Sequence, residues 1–122
     1  MIVAGIGCRK GIDTEDLAPL VTQVVGEHKL DRLAAPAFRR NEPAIIALAQ
    51  RLNVDLVWVS EADMTERQVE CETHSAIAFE KTGFSSVAES CALAGAGARS
   101  RLIVRRQSGD AVTCALAVSC EI

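Results

Sequence analysis

The chain has 122 residues, a net charge of −3 at neutral pH and 49% apolar residues, with few aromatics and no tyrosine. That length fits a single domain over 1–122 with a core of Ala, Val, Leu and Ile, and no apolar run nears the ~20 residues of a membrane helix. The negative charge argues against a general nucleic-acid binder, and the shortage of rings removes the stacking platforms of a single-strand binder.

Residues 2–7 read as a buried strand running into a glycine-rich loop, Gly5-Ile6-Gly7-Cys8-Arg9-Lys10-Gly11. Because this strand starts at once, no targeting peptide is expected ahead of it. Residues 13–28 are predicted helical. Leu17, Leu20, Val21, Val24, Val25 and His28 fall on one face, which makes His28 a packed residue. Asp13 and Asp16 suit a helix start, and Pro19 lies near enough to it to be tolerated. Residues 32–36 are expected as a short strand. Asn41-Glu42-Pro43 opens a second helix with Ile45, Leu48, Ala49 and Leu52 inward.

Residues 54–60, rich in Val, Leu and Trp, read as a strand buried on both sides. Residues 61–73 carry Glu61, Asp63, Glu66, Glu70 and Glu72 and read as a solvated helix or loop. A short helix follows at 75–82, stopped by Gly83. Ser86 and Glu89 have capping-box spacing ahead of an Ala-rich helix to about Gly95. Residues 102–105 and 111–118 read as a hairpin turning at Ser108-Gly109-Asp110. In its second strand Val112, Cys114, Leu116 and Val118 share one face. Ala111, Thr113, Ala115 and Ala117 share the other, a small-residue surface suited to the Ala-rich helix. The whole pattern predicts an α/β domain: a three-layer αβα sandwich with a mixed sheet and a closing C-terminal hairpin.

A strand, a glycine loop and a helix start in succession can hold an anion, so Gly5, Gly7, Cys8, Arg9, Lys10 and Gly11 are candidate binding residues. A plain tight turn would use the same glycines. The spacing is one residue longer than G-x-G-x-x-G, and Asp31 precedes the second strand rather than ending it; both count against a nicotinamide cofactor. Cys8 sits where a thiolate could be stabilised, but a nucleophile needs a base and the chain has only His28 and His74, so Cys8 reads as a small buried residue. The five cysteines, Cys8, Cys71, Cys91, Cys114 and Cys120, form no C-x-x-C pair and read as reduced thiols of a cytosolic protein. Cys71-x-x-His74 is half a zinc site at best, with Cys114 and Cys120 the remaining sulfur donors, and no metal or other cofactor is expected. The Ser86–Glu89 helix start offers a second set of free N–H groups. Arg9/Lys10, Arg39/Arg40, Arg99/Arg101 and Arg105/Arg106 are ordinary surface pairs singly; ringing one cleft, they would suit a polyanionic small molecule.

Several of these segments together resemble one family, that of CobE and the C-terminal domain of CbiG in cobalamin biosynthesis. They are Gly5-Ile6-Gly7-Cys8-Arg9-Lys10-Gly11, Arg39-Arg40-Asn41-Glu42-Pro43, and Ser75 with Gly83-Phe84-Ser85-Ser86-Val87-Ala88-Glu89-Ser90-Cys91-Ala92-Leu93. Leu102-Ile103-Val104 and Val112-Thr113-Cys114-Ala115-Leu116-Ala117 are similar to its closing hairpin. Arg39 stands where the family usually has lysine, and Ile12 where threonine is common. The resemblance implies a cytoplasmic protein that binds a precorrin or corrinoid intermediate, a tetrapyrrole edged with acetate and propionate carboxylates. Gly5, Gly7, Cys8, Arg9, Lys10 and Gly11, together with Ser86 and Glu89, would hold those carboxylates, and aliphatic side chains or Trp58 would carry the macrocycle face. Other cobalamin-pathway enzymes are implied as partners. The resemblance leaves two further roles open: a small hydrolase using Cys8 or Glu89, and a non-catalytic subunit delivering intermediates. CbiG-type hydrolases open a lactone ring on a cobalt-precorrin, but they carry further N-terminal regions that this chain does not resemble.

Overall fold

A computed structural model describes residues 1–119. Five strands, β1 (Ile2–Cys8), β2 (Arg32–Pro36), β3 (Asp55–Val59), β4 (Ser100–Ser108) and β5 (Val112–Ser119), form one sheet in the order β3-β2-β1-β5-β4. β1, β2 and β3 are parallel, while β5 runs antiparallel to both β1 and β4. The helices are α1 (Thr14–Val25), α2 (Pro43–Leu52), α3 (Glu61–Arg67), α4 (Ala76–Thr82) and α5 (Val87–Ala96). Leu17 and Val21 of α1, with Ile45 and Leu48 of α2, pack on Ala4, Ile6, Leu33 and Leu116. On the opposite face α5, flanked by α3, sets Ala88, Cys91 and Ala92 against Val3, Ala34, Ala115 and Ala117. The fold is thus the expected mixed-sheet sandwich, closed by the β4–β5 hairpin.

The pleat of β1 assigns its side chains. Ala4 and Ile6 join the α1–α2 core, whereas Gly5 and Gly7 lie under α5. Ala34, Gly5 and Ala115 stand abreast on neighbouring strands, leaving a shallow lane along which α5 lies. A Cβ at Gly5 would come within 2.0 Å of the Ala88 carbonyl oxygen and 2.4 Å of the Ala92 nitrogen. Gly95 answers from the helix side, where a Cβ would stand 2.6 Å from the Ala34 Cβ. The two faces of β5 divide as their sequence predicts: Cys114 and Leu116 in one core, Ala115 and Ala117 in the other.

Several details differ from the sequence reading. α1 stops at Val25 because Gly26 turns the chain at φ 55°, so His28 lies beyond the helix and is exposed rather than packed. Asp13 occupies the N-cap position, but only its carbonyl bonds to the helix; its side chain caps nothing. β3 is an edge strand, with Leu56, Val57 and Trp58 half-buried and only Val59 fully covered. The acidic stretch is not wholly solvated. Met64 and Arg67 of α3 are buried, and the Arg67 guanidinium donates to the carbonyls of Leu93 and Gly97 at the carboxyl end of α5 and of Ser100 where β4 begins. Cys120 falls outside the described residues.

The α5 seam is tested by Gly5→Ala. Gly11 has φ +75° and open space around it, so Gly11→Ala should cost only its backbone strain, about 1–2 kcal/mol. Gly5→Ala must lift a helix off the sheet and should cost about 3 kcal/mol or more in urea unfolding. Equal losses in the two variants would mean that α5 does not lie this close to β1.

Candidate functional site

β1 is where the strand order reverses, with β2 and β3 on one side and β5 and β4 on the other. Open α/β sheets bind ligands in the crevice at the carboxyl ends of strands flanking such a point. A cleft of about 350 Å³ lies there. Its base is Gly7 and Cys8 of β1 and Pro36 at the end of β2. One wall is α4, through Ile77, Ala78 and Lys81; the other is the hairpin, through Arg106, Val112 and Thr113. Val87, the first residue of α5, and Phe38 complete an apolar lining. Arg39, Lys81 and Arg106 supply positive charge, and among the described residues no acidic side chain and no histidine lines the cleft. Arg39 is held by donating from Nε to the Cys8 carbonyl oxygen at 2.9 Å, with its guanidinium 5.0 Å from the centre of the Phe38 ring.

The sequence-predicted residues divide here. Gly7 and Cys8 line the cleft. Gly5 is sealed beneath α5. Arg9 and Lys10 are exposed outside the lining, and the Arg9 N–H donates to the Ala111 carbonyl at 3.2 Å. The Gly11 N–H already donates to Glu42 Oε1 at 2.7 Å, so the loop holds a carboxylate of its own chain. Ser86 is fully buried, and its Oγ accepts from the Glu89 N–H at 3.3 Å. Of the basic pairs only Arg39 and Arg106 reach the cleft. Trp58, on β3, packs at the edge of the α1–α2 core instead. The sequence reading missed Lys81, Ile77 and Phe38. Lys81 and Ile77 stand four apart in the predicted short helix, hence on one side of it, a spacing that could have paired them.

Glu89 is the other half of the expected capping box, but its side chain does not turn back to Ser86. It is fully buried. Oε1 accepts from the N–H groups of Glu72 at 2.9 Å and Thr73 at 2.8 Å. Oε2 accepts from the Thr73 hydroxyl and the Arg106 N–H, both at 2.8 Å. Arg106 lies where the β4–β5 register slips between Val104 and Gln107, a bulge that removes its N–H from the ladder. Burial alone would raise the Glu89 pKa, but the bonds from Arg106, Thr73 and Glu72 outweigh it and leave the carboxyl below its ordinary range.

The remaining chemistry is quiet. Burial pushes the Cys8 thiol up to about 11, with Arg39 opposing and Glu42 adding to the rise, so it stays protonated at neutral pH. Cys8, Cys71, Cys91 and Cys114 are all free. Cys71 is buried with its sulfur 3.3 Å from the Ser90 hydroxyl, while His74 is exposed, so the two do not converge as ligands. Asp31 accepts from the Ile2 N–H at 2.8 Å, at the end of the sheet opposite the cleft. Among the described residues no helix is long and apolar enough to cross a membrane.

Comparison with known proteins agrees with this architecture. The family model for the cobalamin synthesis G C-terminus matches residues 2–117. Protein CobE from a Sinorhizobium species is 31% identical over 121 residues, which are 95% of this chain and 79% of that protein. The crystal structure of CobE, a protein from the cobalamin (vitamin B12) biosynthetic pathway, superposes with a TM-score of 0.87 at 36% identity, covering 96% of this chain and 89% of that one. That of the cobalamin biosynthesis protein chiG from Agrobacterium tumefaciens does so with a TM-score of 0.79 at 31% identity, covering 99% of this chain and all of that one.

The Glu89 anchor has a pH signature. A carboxylate whose folded pKa lies below its unfolded value contributes stability above the unfolded value, ordinarily 4.5 for glutamate, and loses it as pH falls through the folded one. Glu89→Gln places an amide N–H₂ against N–H donors and should lower stability at pH 7 by about 1–3 kcal/mol. Its stability should then fall less steeply than wild type below pH 4.5. Parallel pH profiles for the two proteins in urea melts would contradict this role.

Proposed function

The chain belongs to the family of the cobalamin synthesis G C-terminus, and on that premise we propose that it binds a precorrin or corrinoid intermediate of cobalamin biosynthesis at the β1–β2 cleft. The observation that carries this reading is the cleft's lining: three cations, no acid among the described residues and an apolar floor, in a chain whose net charge is negative. A late tetrapyrrole is an apolar macrocycle rimmed by carboxylates, and it needs those two kinds of surface side by side. Arg39, Lys81 and Arg106 are spaced around the opening to meet carboxylates by charge-assisted hydrogen bonds. Pro36, Phe38, Ile77, Val87 and Val112 offer aliphatic and aromatic contact to the ring. The volume, about 350 Å³, suits one edge of such a macrocycle with the rest left outside.

Binding without bond breaking is the reading these residues favour. The two side chains considered for hydrolysis are a thiol held protonated and a carboxylate with all its acceptor sites directed into the fold. A bound intermediate left part-exposed also suits transfer to another cobalamin-pathway protein in the cytoplasm.

Dicyanocobyrinic acid, a corrinoid with free peripheral carboxylates, should shift its visible spectrum on titration with the protein and co-elute with it at micromolar concentration. Cobinamide, whose peripheral groups are amides, should bind far more weakly. Arg106→Glu should weaken the acid about tenfold, the equivalent of roughly 1.4 kcal/mol. Charge reversal at Arg9 and Lys10, which lie outside the lining, should cost less. No spectral change and no co-elution in the wild type would remove this function.

A further inference from the structure

α4 is built unlike the other helices. None of its seven residues is buried, and Ile77 and Phe79 are 68% and 55% exposed. Among the described residues, no hydrogen bond ties residues 76–82 to anything outside 75–85. The helix is held at its neck instead. Ser75 N–H donates to the Ser85 carbonyl at 3.1 Å, and Ser85 N–H to Gln68 Oε1 at 3.1 Å. Just before the neck, Thr73 is fixed to the Glu89 carboxylate; just inside it, Gly83 turns the chain at φ +83°. A firm neck thus carries a helix with little packing of its own. Its cleft side presents Ile77, Ala78, Lys81 and Thr82.

Ile77 stands two-thirds exposed beside a cationic cleft, and packing it against a ligand would bury apolar surface now facing water. We propose that α4 is a cap that closes on the bound macrocycle, with Ile77 against its apolar face and Lys81 on one of its carboxylates. The inference rests on the ligand reading above and adds a motion to it, one that brings Ile77 and Lys81 of the cleft wall onto the ligand. The free cleft admits one edge of the ring, and closure extends contact over the face. Lys81 selects for carboxylate at that edge, and Ile77 for a bulky apolar ring behind it. A linear polycarboxylate supplies the charge but nothing for Ile77 to cover.

Hydrogen–deuterium exchange with dicyanocobyrinic acid tests the cap. Amides of 76–82 should exchange at least tenfold more slowly in the complex, with little change in β1 or β5. Ile77→Ser and Lys81→Ala should each weaken binding about five- to tenfold while leaving the midpoint of thermal unfolding within a degree or two, since neither side chain supports the core. Citrate, a small polycarboxylate, should leave the 76–82 amides unprotected. Binding with unchanged exchange at 76–82, or wild-type affinity in both variants, overturns the cap and leaves the ligand reading standing. Absence of any binding by the wild type overturns both.

Discussion

The Glu89 carboxylate is fully buried, and its two oxygens accept hydrogen bonds from Glu72, Thr73 and Arg106. Those donors belong to different walls of one cleft. Residues 72–73 lead into α4, and Arg106 sits on the bulge of β4. A buried anion is costly unless its lone pairs are all occupied, and here three backbone N–H groups outside the regular ladders and the Thr73 hydroxyl occupy them. The carboxylate also lies in the first turn of α5, where the helix dipole favours negative charge. One side chain therefore settles two problems: the N–H left over at a bulge, and a loop with no strand to pair with. The cleft walls follow from its position.

That position depends in turn on the seam between α5 and the sheet. Glu89 can reach Arg106 only because α5 lies low over β1, and α5 lies low because Gly5, Ala34 and Ala115 present almost no side chain to it. Arg67 fixes the other end of the helix by donating to the last carbonyls of α5 and to Ser100. Small residues determine height, a buried carboxylate orients the amino end, and a buried guanidinium orients the carboxyl end. Van der Waals packing alone would leave a smooth Ala-rich helix free to slide; two charged anchors at its ends remove that freedom.

Much of this was legible in the chain. The small face of β5 and the Ala-rich run after Ser86 marked each other as partners, and both proved to meet in the α5 seam. The glycine motif was legible as a motif, but not what two of its positions contact. Gly5 serves helix packing and Gly11 is engaged by Glu42, neither of which a local spacing rule can distinguish from ligand binding. Glu89 looked like half of a capping box because its register fits one; its actual partners lie 16 and 17 residues away, in segments whose proximity only the tertiary fold creates. The proximity of Phe38 to the cleft was hidden for the same reason, and Lys81 was legible only as a neighbour of Ile77. His28 was misplaced because helical periodicity continued past Gly26, where the backbone itself does not.

The distribution of charge shows why net charge is a poor guide to the character of the cleft. Asp63, Glu66 and Glu70 gather around a hollow beside α3, and Glu15 pairs with Arg51 across α1 and α2. Glu89 is buried behind the cleft walls, its oxygens taken by N–H and hydroxyl donors. Screening over about 8 Å in physiological salt weakens the influence of distant carboxylates far more than that of three cations lining one cleft. The cleft therefore has a positive mouth on an acidic molecule. On the proposed reading, a ligand with carboxylates along an edge and an apolar interior behind them would match both the cations and the floor.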